Sequence, residues 1–104
     1  MPGDDALLDE TLAVLDDLIA FPTVALTPNV DLIGYVEDRL GPLCSDLVLT
    51  HDETRSRANL FATIGPNVDG GIVLSGHSDV VPVDAADWAT PPFEATRLGD
   101  RIYG

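Results

Sequence analysis

Ile72-Val73-Leu74 is apolar at three successive positions, so as a strand it would be apolar on both faces. A strand of that kind belongs in a sheet covered on both sides, which points to an α/β layered fold. The run passes through Ser75-Gly76 into His77-Ser78-Asp79 and then Val80-Val81-Pro82-Val83. Ligands of open α/β sheets gather beyond the carboxyl ends of strands, and His77 stands at that end. Extended backbone puts side chains two apart on one side, so His77 and Asp79 can address one pocket. Neutral imidazole is a good zinc ligand, and a ligating histidine usually gives its other ring N–H to a carboxylate. His77 is therefore the candidate metal ligand and Asp79 its orienting partner. Gly76, with no side chain, lets the chain bend and leaves space at the tip. In an acidic chain a His-x-Asp triplet also arises by chance as a polar strand end; the apolar run before it, with Gly76 at the bend, raises the metal reading to stand level with that one.

Two helices are expected ahead of the strands. Leu7, Leu8, Leu12, Leu15, Leu18 and Ile19 recur at three- and four-residue spacing, which predicts a helix from about Asp5 to Ala20. Asp4 or Asp5 would cap it, and Phe21-Pro22 would end it. A second helix should begin near Asn29, a good cap after Pro28, run through Leu32, Ile33, Val36 and Leu40, and stop at Gly41-Pro42. Alternation then predicts strands at Asp46–Thr50 and Asn59–Ile64, with Leu60, Ala62 and Ile64 on one side and Asn59, Phe61 and Thr63 on the other. Gly65 to Gly71 reads as a turn, and Ala95 to Tyr103 as a hairpin turning at Gly99-Asp100. Trp88 and Phe93 read as anchors of the proline-rich loop between them and the strand. Two helices are too few to cover both faces of a sheet around Ile72–Leu74, so a truncated layered domain with uncovered apolar surface is expected.

Charge narrows the function. Eighteen acidic residues, fourteen of them Asp, stand against five Arg and no Lys, for a formal charge of −13. Such a field repels nucleic-acid phosphates and anionic membranes, so neither is an expected partner. Solubility or attraction of cations accounts for the excess; its even spread along the chain favours solubility. Cys44 is the only cysteine, which rules out an internal disulfide, and its surroundings suit a small buried or partly buried residue, not a nucleophile. His51 reads as a solvated loop histidine. The first residues carry no basic stretch and no apolar run reaches membrane length, so a cytoplasmic location is expected.

The run from Gly70 to Val83 resembles the first metal motif of the zinc-dependent amidohydrolases that include acetylornithine deacetylase. Trp88 followed by Pro92-Phe93, and Gly99-Asp100-Arg101-Ile102-Tyr103-Gly104, look like the same family. Ala58–Pro66 and Phe21-Pro22-Thr23-Val24 are similar to its acetylornithine deacetylase branch, and the likeness extends over nearly the whole chain from Leu12 onward. Ser78 stands where threonine is commoner. The resemblance implies that residues 1–104 are the N-terminal part of the catalytic domain of a three-layer αβα zinc-exopeptidase-like fold, without the dimerisation domain that makes a full-length form a homodimer. It implies a pair of zinc ions, sometimes replaced by cobalt, with His77 as a metal ligand and Asp79 as a catalytic residue. The implied substrate is a small N-acyl amino acid, and the implied reaction is hydrolysis of N2-acetylornithine to ornithine and acetate in arginine biosynthesis. The family's bridging aspartate lies just past a Tyr-Gly like Tyr103-Gly104, and its glutamate base and other ligands lie later. Alone, the chain is therefore expected to bind metal weakly and hydrolyse nothing. A succinyl-diaminopimelate desuccinylase, a carboxypeptidase-like hydrolase and a non-catalytic fragment remain alternatives, as does an acidic domain without metal.

Overall fold

The computed structural model describes residues 3–104. In order along the chain these form α1 (Asp4–Ile19), α2 (Val30–Leu40), β1 (Asp46–His51), β2 (Ala58–Thr63), β3 (Thr96–Leu98) and β4 (Arg101–Tyr103). Short 3-10 turns occupy Gly41–Leu43 and Ala85–Asp87. Two helices followed by strands is the α/β order expected. The residues divide into two compact units: Thr23–Val80 is one, and the segment up to Pro22 joins Val81–Gly104 in the other.

Within Thr23–Val80, β1 and β2 pair antiparallel, with Leu47 opposite Ala62, Leu49 opposite Leu60 and His51 opposite Ala58. Those six residues share one face, against which α2 packs. Ala58 and Leu32 are the buried apolar residues of this small core. The opposite face leaves Val48 and Phe61, directly paired, exposed. The alternation expected of β2 is the one observed, and both strands run within one residue of their expected limits. His51 is a correction: it ends β1 in the ladder and is half-buried, because the turn begins only at Asp52.

That turn is built by one carboxylate. Asp52 Oδ1 accepts from the Ser56 and Arg57 amides at 3.1 and 3.2 Å, and Oδ2 accepts from Thr54 Oγ1 and Arg57 Nε at 3.0 and 3.2 Å. Partial burial works against ionisation of this carboxyl. The Arg57 amide, the Thr54 hydroxyl and the Arg57 guanidinium outweigh it and hold the pKa below the usual 3.8. Arg55 takes the left-handed conformation (φ 58°) that closes the loop.

The other unit holds α1 and the β3–β4 hairpin. The hairpin turns at Gly99-Asp100 as expected, with Leu98 opposite Arg101 and Gly99 at φ 63°, where a two-residue turn of this kind asks for glycine. Arg97 Nη2 donates to both oxygens of Asp16 on α1 at 3.2 and 3.0 Å. The expected cap of α1 is not made: Gly3 occupies that position, with no side-chain bond. Asp4 and Asp5 lie in the first turn, where their charge suits the helix dipole. Leu7, Leu8 and Leu15 on its apolar stripe stay exposed.

The main correction concerns Ile72-Val73-Leu74. This run joins no ladder, and its residues are 89, 77 and 93% exposed. A strand persists through its neighbour's hydrogen bonds, and each hairpin here satisfies only its own two strands. The expectation of uncovered apolar surface is met, by this unpaired segment as well as by the open Val48–Phe61 face of the hairpin.

Candidate metal centre

Beyond that run the His-x-Asp tip is held by a segment far earlier in sequence. Val24 and Val80 form a parallel bridge: the Val80 amide donates to Thr23 O at 3.0 Å, and the Ala25 amide donates to Val80 O at 2.8 Å. Thr23 is buried and its hydroxyl donates to Ser78 O at 2.6 Å. Ser78 is thus tied down, while His77 and Asp79 turn outward with side chains 82 and 66% exposed.

The structure brings these two together as their spacing suggests. His77 Nδ1 lies 2.8 Å from Asp79 Oδ1 and 2.9 Å from Asp79 O. Both oxygens are acceptors when the carboxyl is ionised, so Nδ1 carries the proton and the neutral ring's lone pair sits on Nε2. That is the tautomer a metal-binding imidazole needs, with a carboxylate behind it. Gly76 is a correction of detail. Its φ is not left-handed and a Cβ there would meet nothing within 4 Å, so neither backbone strain nor crowding demands glycine.

One imidazole backed by one carboxylate fits as part of a zinc site and falls short of a whole one. Zinc takes three or four protein ligands, and among the described residues no three His, Cys, Asp or Glu side chains gather to hold a metal. His51 does not join His77 in such a group, and Cys44 is half-buried and free.

Sequence reasoning missed Asn29 as part of this region. It occupies the cap position of α2, but its side chain makes no cap bond there. Its Oδ1 accepts from the Ala58 amide at 2.8 Å, and Nδ2 donates to Ala58 O at 3.1 Å and to Ser78 Oγ at 3.2 Å. The signal available, an Asn just ahead of a helix, is the same for a cap and for a long-range tie.

Comparison with known proteins agrees with the motif. The acetylornithine deacetylases of Shigella sonnei (strain Ss046) and Proteus mirabilis (strain HI4320) are each 35% identical to this chain over 94 residues. The chain is similar to acetylornithine deacetylases. Each match covers 84% of this chain and 24% of the relative, so the chain spans about a quarter of the length of the curated relatives it matches. No family model matches it, and no solved structure matches it. Among the described residues no helix is long and apolar enough to cross a membrane.

Proposed function

We propose that residues 1–104 are the N-terminal part of the catalytic domain of a metal-dependent amidohydrolase of three-layer αβα architecture, acting on a small N-acyl amino acid. The His77–Asp79 pair carries the reading: an exposed imidazole whose Nδ1 is engaged by a carboxylate presents Nε2 to a cation. His77 is the metal ligand and Asp79 the catalytic residue that orients it. The metal is zinc, with cobalt as a substitute, and its role would be to polarise the amide carbonyl and supply hydroxide. Similarity to the two acetylornithine deacetylases supports acetylornithine as the substrate and arginine biosynthesis, a cytoplasmic process, as the setting. Neither a nucleic acid nor a membrane is proposed as a partner, and the full-length form is proposed to be a homodimer.

A second reading is favoured by one observation. No third ligand gathers beside His77 and Asp79 among the described residues, which supports a reading of the chain alone as a non-catalytic piece. Calorimetric titration of the chain with Zn2+ tests both points. Weak binding that His77→Ala removes, with no hydrolysis of acetylornithine, is the expected result. Tight stoichiometric binding, or turnover, would overturn the claim of an incomplete site. Binding unchanged by His77→Ala would remove His77 from it. In a chain extended to its relatives' length, hydrolysis of acetylornithine over succinyl-diaminopimelate is expected; the reverse preference would favour a desuccinylase.

A further inference from the structure

Asn29 and Thr23 do more than hold a loop. Along the hairpin edge the Asp52 amide donates to Arg57 O at 2.9 Å, so alternation turns the N–H and C=O of the next residue, Ala58, away from β1. The Asn29 amide meets both, as a neighbouring strand would, and its remaining N–H reaches Ser78 Oγ. All three hydrogen-bonding functions of that side chain are directed to β2 and the tip. The start of α2 forgoes its side-chain cap in consequence. Thr23 holds the same residue from its other polar group, Ser78 O, while its own carbonyl takes the Val80 amide.

Ser78 is therefore gripped at both its hydroxyl and its carbonyl, and Val80 at both its amide and its carbonyl. The residues between and beside them, His77 and Asp79, are left with their side chains free to meet each other. We propose that Thr23 and Asn29 are positioning residues for the His77–Asp79 pair: they fix the backbone at Ser78 and Val80 so that His77 Nδ1 faces Asp79 and Nε2 faces outward. The functional meaning of that orientation rests on the metal-binding reading, whereas the positioning itself does not.

The test uses the metal-free chain and two readouts. One is amide exchange at Val80, with Val48 in the hairpin as a control. The other is the 15N signature of the His77 ring at a pH where it is neutral, which reports whether Nδ1 or Nε2 carries the proton. Thr23→Val keeps the shape and removes the hydroxyl; it should raise Val80 exchange about tenfold and shift the ring away from the Nδ1-protonated form, with Val48 unchanged. Thr23→Ser, which keeps the hydroxyl, should restore both signals. Asn29→Asp keeps the acceptor for the Ala58 amide and loses both donors, and should shift the ring signature in the same direction. If Asn29→Asp unfolds the chain, the two Thr23 variants decide alone. An unchanged His77 signature in Thr23→Val, or no recovery in Thr23→Ser, overturns the proposal. Because no metal is present, failure of zinc binding would sink the proposed function and leave this result standing.

Discussion

Replacing Val73 by Asp should make the chain less prone to associate, and the size of the effect follows from exposure. Ile72, Val73 and Leu74 are 89, 77 and 93% exposed. Burying one such side chain is worth about 1.5–3 kcal/mol, so the run leaves roughly 4–8 kcal/mol of transfer free energy unrealised. Two copies covering each other's runs would gain about twice that, offset by an association cost of about 4–15 kcal/mol. At the low end of that cost the balance is at least about 4 kcal/mol, which corresponds to self-association at roughly millimolar concentration or below. The formal charge of −13 opposes it, so salt should strengthen it as the screening length falls below about 10 Å. Sedimentation velocity across a concentration series, at low and high salt, reads this directly, with binding of a fluorescent apolar dye as a second measure. Val73→Asp should weaken association at least tenfold, since it removes one apolar side chain and adds a like charge to each copy. A chain that stays monodisperse, melts cooperatively and binds no dye would refute the reasoning. So would association indifferent to Val73→Asp.

Leu32 is the buried contact of α2, in a core where most neighbours are half-buried; Leu32→Ala should cost about 2–3 kcal/mol, the low end for such truncations, measured by urea unfolding followed by circular dichroism. The Asp52 carboxyl has its pKa lowered by folding, so its contribution is present above the unfolded value of 3.8 and lost as pH falls through the lower folded value. Stability of the β1–β2 hairpin should accordingly fall below about pH 4, and Asp52→Asn should remove that acid-dependent loss, as read from unfolding midpoints across pH. Gly99→Val places a β-branched residue at φ 63° and should loosen β3–β4 by about 1–2 kcal/mol, visible as faster exchange of the Arg101 amide.

What could be read from the sequence was whatever the chain decides over a few residues. Leucines at helical spacing marked α1 and α2, alternation marked β2 and its faces, and Gly99-Asp100 marked the hairpin. The His77–Asp79 contact was legible for the same reason, since its members lie two residues apart. Ile72–Leu74 read as a strand because its composition suits one, but pairing depends on a neighbour that composition does not supply. Asn29 read as a cap because its position suits one. Its actual partners, Ala58 and Ser78, lie 29 and 49 positions away, and no local pattern announces them. His51 reads as a loop residue because it is polar and opens a polar stretch, yet the ladder extends one residue further to pair it with Ala58.

The bond between Arg97 and Asp16 spans 81 positions and joins segments on either side of Thr23–Val80. On a ribosome, α1 emerges well before its hairpin counterpart, so the intervening residues can consolidate while α1 still awaits a mate. Closing so long a loop is entropically slow, which makes this the late-forming half of the molecule. Its amides should be the last to gain protection during refolding.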